Sequence, residues 1–215
     1  MQRPLIILGT GGNALDILDL VESRAGAWRA VGFLDDAKPP GTRIAGLPVL
    51  GAIAGAQDFP GHAFVNAIGS EASHRDRLGI VARTGLPDER FATLVHAGAS
   101  VSSRAVLGAG TCVHHGATIG GNVRVGAHVG IGPGVIVGHD GVVGDGAMLA
   151  PGCIVSGFVR LGRACYVGAG ASVRQRVAVG DGALVGLGAV VLRDVPPGAT
   201  VVGNPARPLR RAGGD

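Results

Sequence analysis

Residues 119–142 read IGGNVR-VGAHVG-IGPGVI-VGHDGV, and each of these hexapeptides begins with an aliphatic residue. The same spacing holds without a gap from Val95 to Val191, where every sixth residue is Val, Ile or Leu. An amphipathic helix repeats about every 3.6 residues and a half-buried strand alternates from one residue to the next, so neither requires this period. A period of six is typical of short strands and turns that wind into a parallel β-helix.

Three hexapeptides form one triangular coil of 18 residues, so the repeat predicts about five stacked coils. Each coil buries three aliphatic side chains, and its neighbours cover its open ends, so stability is a sum along the stack. Within the repeat, glycine favours the position directly after the aliphatic residue, as at Gly138 and Gly144. We predict that these glycines serve corners whose backbone conformation a Cβ would obstruct.

Residues 1–92 carry a different pattern, in which short apolar runs alternate with segments of helical spacing. The apolar runs are predicted to be strands and comprise residues 4–8, 30–34 and 63–68. The first run ends at the glycine turn GTGGN, where Asn13 is predicted to cap a helix, and a further helix is predicted around residues 71–84. This order is typical of a doubly wound nucleotide-binding unit: a strand, a glycine turn, a helix, and a second strand followed by acidic residues.

The glycine turn and the acidic pair Asp35 and Asp36 are the candidate binding features of this unit. A turn that presents backbone N–H groups at a helix N-terminus can hold a diphosphate, although GTGGN lacks the complete GxGxxG spacing. Asp35 and Asp36 can bond a ribose or the edge of a base. A tight turn without a ligand and a solvated acidic pair are the alternative interpretations.

The chain is therefore expected to contain an α/β half-Rossmann domain at residues 1–92, a parallel β-helix at 93–195, and a loop and tail at 196–215. The net charge of +4 is mild, and basic residues are dispersed except for Arg207, Arg210 and Arg211, so nucleic-acid binding is not expected. We see no signal peptide and no apolar segment of about 20 residues, so a cytoplasmic location is expected. The three cysteines are expected to be small buried hydrophobes.

The repeat is strongly apolar, so the titratable residues within it are the candidates for a catalytic role. The repeat holds four histidines of this kind, His114, His115, His128 and His139. His139 precedes Asp140, and glycines flank the pair, so a ligand can reach it. A neutral imidazole can take a proton at neutral pH, and an adjacent carboxylate can orient it. The pair thus predicts a general base, with a polar turn as the alternative.

A zinc site is the rival use of these histidines. Zinc requires several imidazoles that converge on one point, and residues of a triangular coil stack when they lie 18 apart. No two of these four histidines have that spacing. We therefore predict no metal.

The motifs GTGGN, FLDD and AIGSEASHR, the His-Asp pair within the hexapeptide repeats, and the terminal VVGNPARPL together resemble the NeuD/PglD family of sugar acyltransferases. The resemblance covers nearly the whole chain. It implies a homotrimer of left-handed β-helices with active sites at subunit junctions. It also implies transfer of acetyl from acetyl-CoA to an amino group of a nucleotide-linked sugar, or to a sialic-acid hydroxyl.

The resemblance also implies roles for individual residues. It assigns the general base to His139 and its acidic partner to Asp140. The residues implied to bind the sugar nucleotide are Gly9, Gly11, Gly12, Asn13, Asp35, Asp36 and Gly69. Those implied to bind CoA are Gly157, Ala169, Leu187 and Arg207.

The chain departs from the family pattern at three positions. The family commonly has His in place of Asn13, Asn in place of Gly132, and His in place of Met148. These departures are expected near the substrate pocket and leave the identity of the sugar open. An O-acetyltransferase acting on sialic acid or another sugar, and a non-catalytic sugar-nucleotide-binding protein, are the alternative functions.

Overall fold

The computed structural model describes residues 2–23 and 27–209. In the N-terminal domain the strands and α-helices are β1 (Arg3–Leu8), α1 (Gly12–Glu22), β2 (Trp28–Leu34), β3 (Arg43–Ile44), β4 (Leu47–Gly51), β5 (Ala63–Asn66) and α2 (Arg77–Ala82). Short 3-10 helices cover Ile53–Asp58, His74–Asp76 and Asp88–Arg90. The sheet has the order β3-β4-β2-β1-β5, and only the β3–β4 pair is antiparallel.

The predicted half-Rossmann unit is confirmed, but several of its boundaries are wrong. Asn13 does not cap α1, because Gly11 occupies the N-cap position and Asn13 lies inside the helix. The third strand ends at Asn66 instead of residue 68. The predicted long second helix is a 3-10 turn followed by the six residues of α2.

The hexapeptide repeat forms a left-handed parallel β-helix of two-residue strands. These strands, β6 to β22, are Leu94–Val95, Ser100–Val101, Val106–Leu107, Cys112–Val113, Thr118–Ile119, Arg124–Val125, Gly130–Ile131, Ile136–Val137, Val142–Val143, Met148–Leu149, Ile154–Val155, Arg160–Leu161, Tyr166–Val167, Ser172–Val173, Ala178–Val179, Leu184–Val185 and Val190–Val191. Each strand from β6 to β19 pairs with the strand one coil later, so that Thr118 lies opposite Ile136, 18 residues on.

The three faces of the prism are three sheets. Sheet I contains β7, β10, β13, β16, β19 and β22; sheet II contains β8, β11, β14, β17 and β20; sheet III contains β6, β9, β12, β15, β18 and β21. We name the corners by the sheets they join. The first corner joins sheet I to sheet II, the second joins sheet II to sheet III, and the third joins sheet III to sheet I.

The repeat aliphatics form the core of the β-helix, as the sequence predicts. From Val113 to Val191 every one of them is buried, whereas Val95, Val101 and Leu107 at the open N-terminal end are only partly buried. Burial of one such side chain contributes about 1.5–3 kcal/mol before entropy is counted. All three cysteines are free and buried, as expected.

The glycines after the repeat aliphatics are required for a different reason from the one predicted. They do not have positive φ, but a Cβ on Gly138 would lie 2.6 Å from the backbone nitrogen of Gly157 in the next coil. Contacts this short are forbidden, so these glycines allow adjacent coils to stack. The left-handed backbone conformation occurs two residues later, for example at Gly152 with φ +67°.

The segment predicted as a loop and tail adds two strands. β23 (Thr200–Val202) pairs in parallel with β21 and extends sheet III, and β24 (Arg207–Pro208) pairs antiparallel with β23. The period breaks because the last coil is shorter: Val201 lies opposite Val185, 16 residues earlier. Arg210 and Arg211 lie outside the described residues.

The N-terminal domain docks on sheet III and the second corner. Arg77 donates from Nε to the carbonyl oxygen of His128 at 3.0 Å, and Arg75 donates to the carbonyl oxygens of Gly182 and Gly198, both at 2.9 Å. In a triangular prism the first corner is the edge opposite sheet III. The docked domain and the first corner therefore lie on opposite sides of the chain.

Candidate active site

The residues that sequence reasoning assigned to the sugar nucleotide surround one cleft of about 550 Å³. Its lining includes Gly9, Gly11, Gly12, Asn13, Asp35, Asp36 and Gly69. The cleft lies at the carboxyl ends of β1, β2 and β5, where doubly wound sheets bind ligands. The structure thus brings all seven residues together; that they bind a nucleotide stays a prediction.

Asp35 holds the glycine turn in place. Its Oδ2 accepts hydrogen bonds from the backbone nitrogen and the hydroxyl of Thr10, at 2.8 and 2.7 Å. Its Oδ1 accepts from the backbone nitrogen of Ala37 at 2.8 Å. Burial opposes ionisation of Asp35, but the hydrogen bonds from Thr10 and Ala37 outweigh it and keep its pKa below the usual value. Asp35 therefore shapes the cleft even where it touches no ligand.

Asp36 and Asn13 close two other sides of the cleft. Asp36 accepts from the backbone nitrogen of Ile53 at 2.9 Å and pairs with Arg83 at 2.9 Å. The Asn13 side-chain amide donates to the carbonyl oxygen of Gly69 at 2.7 Å, a contact between α1 and the loop after β5. In place of a helix cap, Asn13 links two walls of the cleft.

A second pocket, of about 260 Å³, lies between the N-terminal domain and sheet III. We call it the interdomain pocket, and it adjoins the cleft through Asn13 and Gly69, which line both. Its lining includes all three positions of departure from the family pattern, Asn13, Gly132 and Met148. It also includes the carboxylates of Asp16 and Glu71. Sequence reasoning placed the departures near a substrate pocket, and the structure assigns them to one cavity.

A fully buried arginine supports the wall between the two cavities. Arg77 donates to the carbonyl oxygens of Ile68, Asn66 and His128, and so ties the end of β5 to the β-helix. Burial lowers the pKa of Arg77 to about 10, so it stays charged at neutral pH. Sequence reasoning missed this residue, because its partners are backbone carbonyl groups, which no side-chain pattern marks.

His139 and Asp140 form a hydrogen-bonded pair at the first corner. The imidazole Nδ1 lies 2.8 Å from Oδ2 of Asp140, and the Asn122 amide donates to Oδ1 of Asp140 at 3.2 Å. The hydrogen bond with His139, and then that from Asn122, lower the pKa of Asp140 below its usual value. An ionised Asp140 accepts a hydrogen bond, so it favours the tautomer with the proton on Nδ1 and a free lone pair on Nε2. The His139 side chain is 64% exposed.

The other side of the imidazole faces the next coil. A Cβ on Gly157 would lie 2.8 Å from Nε2 of His139, so the ring stands directly against this glycine. The Phe158 ring lies almost perpendicular to the imidazole, at an angle of 85° with 5.1 Å between centroids. The Arg176 guanidinium lies over the Phe158 ring, 4.4 Å from its centroid. Sequence reasoning missed Phe158 and Arg176, although Asp140, Phe158 and Arg176 are spaced by 18 residues.

The residues assigned to CoA are not brought together within one chain. Gly157 lies at the first corner beside His139, whereas Ala169 and Leu187 lie at the third corner. Leu187 is 78% exposed, and Arg207 lies exposed in β24. His139 is also separate from both cavities, whose linings contain no residue of its turn, 138–141.

The other histidines have varied surroundings. His128 is buried, with Nε2 3.1 Å from Asp88 and its ring against Phe91. Burial lowers the pKa of His114, which lines the interdomain pocket. The His115 ring lies 5.7 Å from that of His96, one coil earlier.

Across residues 2–23 and 27–209 no group of three His, Cys, Asp or Glu side chains is placed to hold a metal ion. Within the same ranges, no helix has the length and apolar character needed to cross a membrane.

Known proteins match both parts of the chain. Residues 4–78 match the model of the PglD N-terminal domain. The acetyltransferase domain of PglB from Neisseria gonorrhoeae FA1090 is 30% identical, with a TM-score of 0.85 over 96% of this chain and 100% of that one. The same domain has also been solved with acetyl coenzyme A. No curated protein sequence matches.

Two further solved structures cover almost the whole chain. PerB from Caulobacter crescentus, in complex with CoA and GDP-perosamine, is 26% identical, with a TM-score of 0.82 over 96% of this chain and 97% of that one. WeeI from Acinetobacter baumannii AYE is 26% identical, with a TM-score of 0.83 over 97% of this chain and 100% of that one. Together with the repeat, the nucleotide-binding unit and the His139–Asp140 pair, these matches show that the chain belongs to the NeuD/PglD-like family of acetyl-CoA-dependent sugar acetyltransferases.

Proposed function

We propose that the protein transfers the acetyl group of acetyl-CoA to an amino group of a nucleotide-linked sugar, with His139 as the general base. The observation that carries this proposal is the His139–Asp140 pair, in which Nδ1 of an imidazole is bonded to a carboxylate and the imidazole side chain is 64% exposed. A base of this kind accelerates proton transfer by about 10²–10⁴-fold. The similarity to PerB, solved with CoA and GDP-perosamine, supports the choice of substrates.

The cleft suits a sugar nucleotide. Its phosphates would lie at the N-terminus of α1, where the backbone N–H groups of Gly12 and Asn13 have no acceptor in the described part of the chain. The helix dipole adds favourable potential for an anion at this end. The nucleoside would extend toward Asp36, on the far side of the turn that Asp35 holds.

The sugar would occupy the interdomain pocket next to the phosphates. The carboxylates of Asp16 and Glu71 line this pocket and attract the positive charge of an amino sugar. The same carboxylates repel the carboxylate of a sialic acid. These two carboxylates outnumber the one guanidinium in the lining, that of Arg77, so charge favours the N-acetyltransferase over the sialic-acid O-acetyltransferase.

A second copy of the chain is needed to complete this site. His139 lies at the corner opposite sheet III, and the interdomain pocket lies on sheet III, so the two do not meet in one chain. Likewise Gly157 lies at the first corner, and Ala169 and Leu187 at the third. A cyclic homotrimer would place the first corner of one subunit beside the third corner and interdomain pocket of the next. CoA would then bind between subunits.

The transfer is direct in this proposal. The ammonium group first loses one proton to solvent. The neutral amine nitrogen then attacks the thioester carbonyl, and Nε2 of His139 accepts the second proton that the nitrogen loses. The tetrahedral intermediate then expels the CoA thiolate, which is protonated by the imidazolium. The backbone N–H of Gly157 has no acceptor within the described chain and is suited to bind the oxyanion.

A covalent cysteine intermediate is disfavoured. Burial raises the pKa of Cys112, Cys153 and Cys165 to about 12, so all three stay protonated at neutral pH. A protonated, buried thiol is a poor nucleophile.

The test measures release of CoA thiol with UDP-, GDP- and dTDP-linked amino sugars and with free sialic acid. We expect release with one amino-sugar nucleotide, and a loss of about 10²-fold or more in His139→Ala. His62→Ala is the matched control, because His62 lies in the N-terminal domain and lines neither cavity, and it should stay within about twofold of the wild type. Release with sialic acid alone would support the O-acetyltransferase, and CoA binding without release would contradict the proposal.

A further inference from the structure

The first and third corners differ in the residue that adopts the left-handed backbone conformation, which is the third residue after the repeat aliphatic. This position is glycine in the third-corner coils, for example Gly134 and Gly152. At the first corner it holds side chains throughout the middle of the stack: Asn122, Asp140, Phe158 and Arg176, with φ between 54° and 65°. A bulky residue with positive φ is a genuine outlier, and such strain tends to persist where function requires the side chain. Asn122 and Asp140 already have partners in the His139 network, which leaves Phe158 to be explained.

Phe158 is attached to His139 through both backbone and side chain. Its backbone nitrogen donates to the carbonyl oxygen of His139 at 3.0 Å. Its ring meets the imidazole at 85°, the edge-to-face arrangement that aromatic pairs prefer. Asp140 fixes only the Nδ1 end of an imidazole whose side chain is 64% exposed. A contact on the ring itself is needed to confine it to one orientation.

Arg176 in turn fixes Phe158. Its guanidinium covers the Phe158 ring at 4.4 Å, a cation–π contact, and its backbone nitrogen donates to the carbonyl oxygen of Gly157 at 3.2 Å. Phe158 is nevertheless 39% exposed, so its burial alone does not account for a strained aromatic residue here.

We propose that Phe158 is a positioning residue, which holds the imidazole of His139 so that Nε2 stays over Gly157 and faces the reacting amine. This role rests on the proposed function, because it presumes that His139 is the base. Phe158 acts through His139 and is not itself part of the proton transfer.

The decisive variant is Phe158→Gly. Glycine accepts the left-handed conformation without strain, so the change removes the ring without burdening the backbone. Ala164→Gly is the matched control, because Ala164 is also left-handed, with φ 48°, but lies at the second corner away from His139. Phe158→Tyr keeps an aromatic ring and serves as the rescue variant.

The readouts are kcat, both KM values, the melting temperature and the oligomeric state. For Phe158→Gly we expect kcat to fall about tenfold, with both KM values within about twofold and the melting temperature not lowered. Ala164→Gly and Phe158→Tyr should retain nearly wild-type kcat. An unchanged kcat in Phe158→Gly would overturn the proposal. So would a rise in the KM for acetyl-CoA alone, which would make Phe158 a cofactor contact, or a change in oligomeric state, which would make it an interface residue.

A second readout does not depend on turnover. In the free protein, the imidazole NMR signals of His139, assigned by their loss in His139→Ala, should shift in Phe158→Gly and stay in place in Ala164→Gly. Unshifted signals would overturn the proposal even if kcat fell. If His139→Ala is as active as the wild type, the proposed function fails, whereas a shift of the His139 signals still reports the Phe158 contact.

Discussion

The first and third corners of the β-helix are built from hexapeptides of the same pattern and differ in the residue that adopts the left-handed backbone conformation. At the third corner glycine adopts the left-handed conformation without strain. At the first corner Asn122, Asp140, Phe158 and Arg176 accept the same disfavoured conformation. Asp140 and Phe158 contact His139, and Asn122 and Arg176 contact these two in turn. In a regular repeat, the coils that violate the local preference of the backbone are therefore the ones to examine for chemistry.

The largest loss of activity is expected from a change at Asp140, which belongs to the first corner. In Asp140→Asn the amide can donate to Nδ1 of His139, which favours the proton on Nε2 and removes the lone pair that the base needs. We expect kcat to fall about a hundredfold while both substrates still bind. Steady-state kinetics and calorimetric CoA binding measure the two effects. Asp140→Asn with wild-type kcat would mean that the carboxylate has no role in orienting the base.

The next effect is expected from a single methyl group at Gly157. Gly157→Ala places a Cβ 2.8 Å from Nε2 of His139, and the backbone there does not have positive φ, so the ring must move while the fold is kept. We expect kcat to fall at least about tenfold.

Gly121→Ala is the control for this change. Gly121 occupies the equivalent place one coil before His139, and a Cβ there would meet only the Ser102 hydroxyl, at 3.8 Å. Its kcat should be close to that of the wild type. Equal losses in Gly121→Ala and Gly157→Ala would show that the imidazole is not held against one coil.

The comparison of corners also shows how far sequence reasoning extends. The six-residue period located the core aliphatics and the corners, and the pair His139–Asp140 stood out because an apolar repeat was interrupted. The sequence also contains the 18-residue spacing of Asn122, Asp140, Phe158 and Arg176. The orientation of the His139 ring could not be predicted from the sequence, because it depends on how the side chain packs against Gly157.

Other features depend on contacts between distant parts of the chain. Asn13 reads as a helix cap from its neighbours, yet its amide reaches Gly69, 56 residues away. The interdomain pocket exists because the N-terminal domain docks on sheet III, which no local pattern encodes. The extra strand β23 was missed because the last coil is two residues shorter than the repeat, 16 in place of 18.

A smaller effect is expected at Asn122, which reaches His139 only through Asp140. The pKa of Asp140 is lowered by its hydrogen bonds with His139 and then with Asn122, so Asp140 supports the imidazole above that pKa and loses this role as the pH falls through it. Asn122→Gly removes one hydrogen bond and should raise the pKa of Asp140 toward 3.8. The carboxyl carbon of Asp140, followed by NMR titration, reports this shift directly. An unchanged pKa of Asp140 would show that the 3.2 Å contact with Asn122 does not affect ionisation of Asp140 in solution.

The smallest effect on activity is expected at Gly152 of the third corner, which lines neither cavity and where added strain should alter stability. Gly152 has φ +67°, and nothing lies within 4 Å of a Cβ added there. Gly152→Ala therefore introduces left-handed strain without a steric contact, and should lower the free energy of unfolding by about 1–2 kcal/mol. Chemical denaturation measures that loss, and kcat per folded molecule should not change. At the first corner, Phe158→Gly is expected to do the reverse, with kcat reduced and stability kept. If Gly152→Ala reduced kcat as much as Phe158→Gly, the contrast between the left-handed positions of the two corners would not hold.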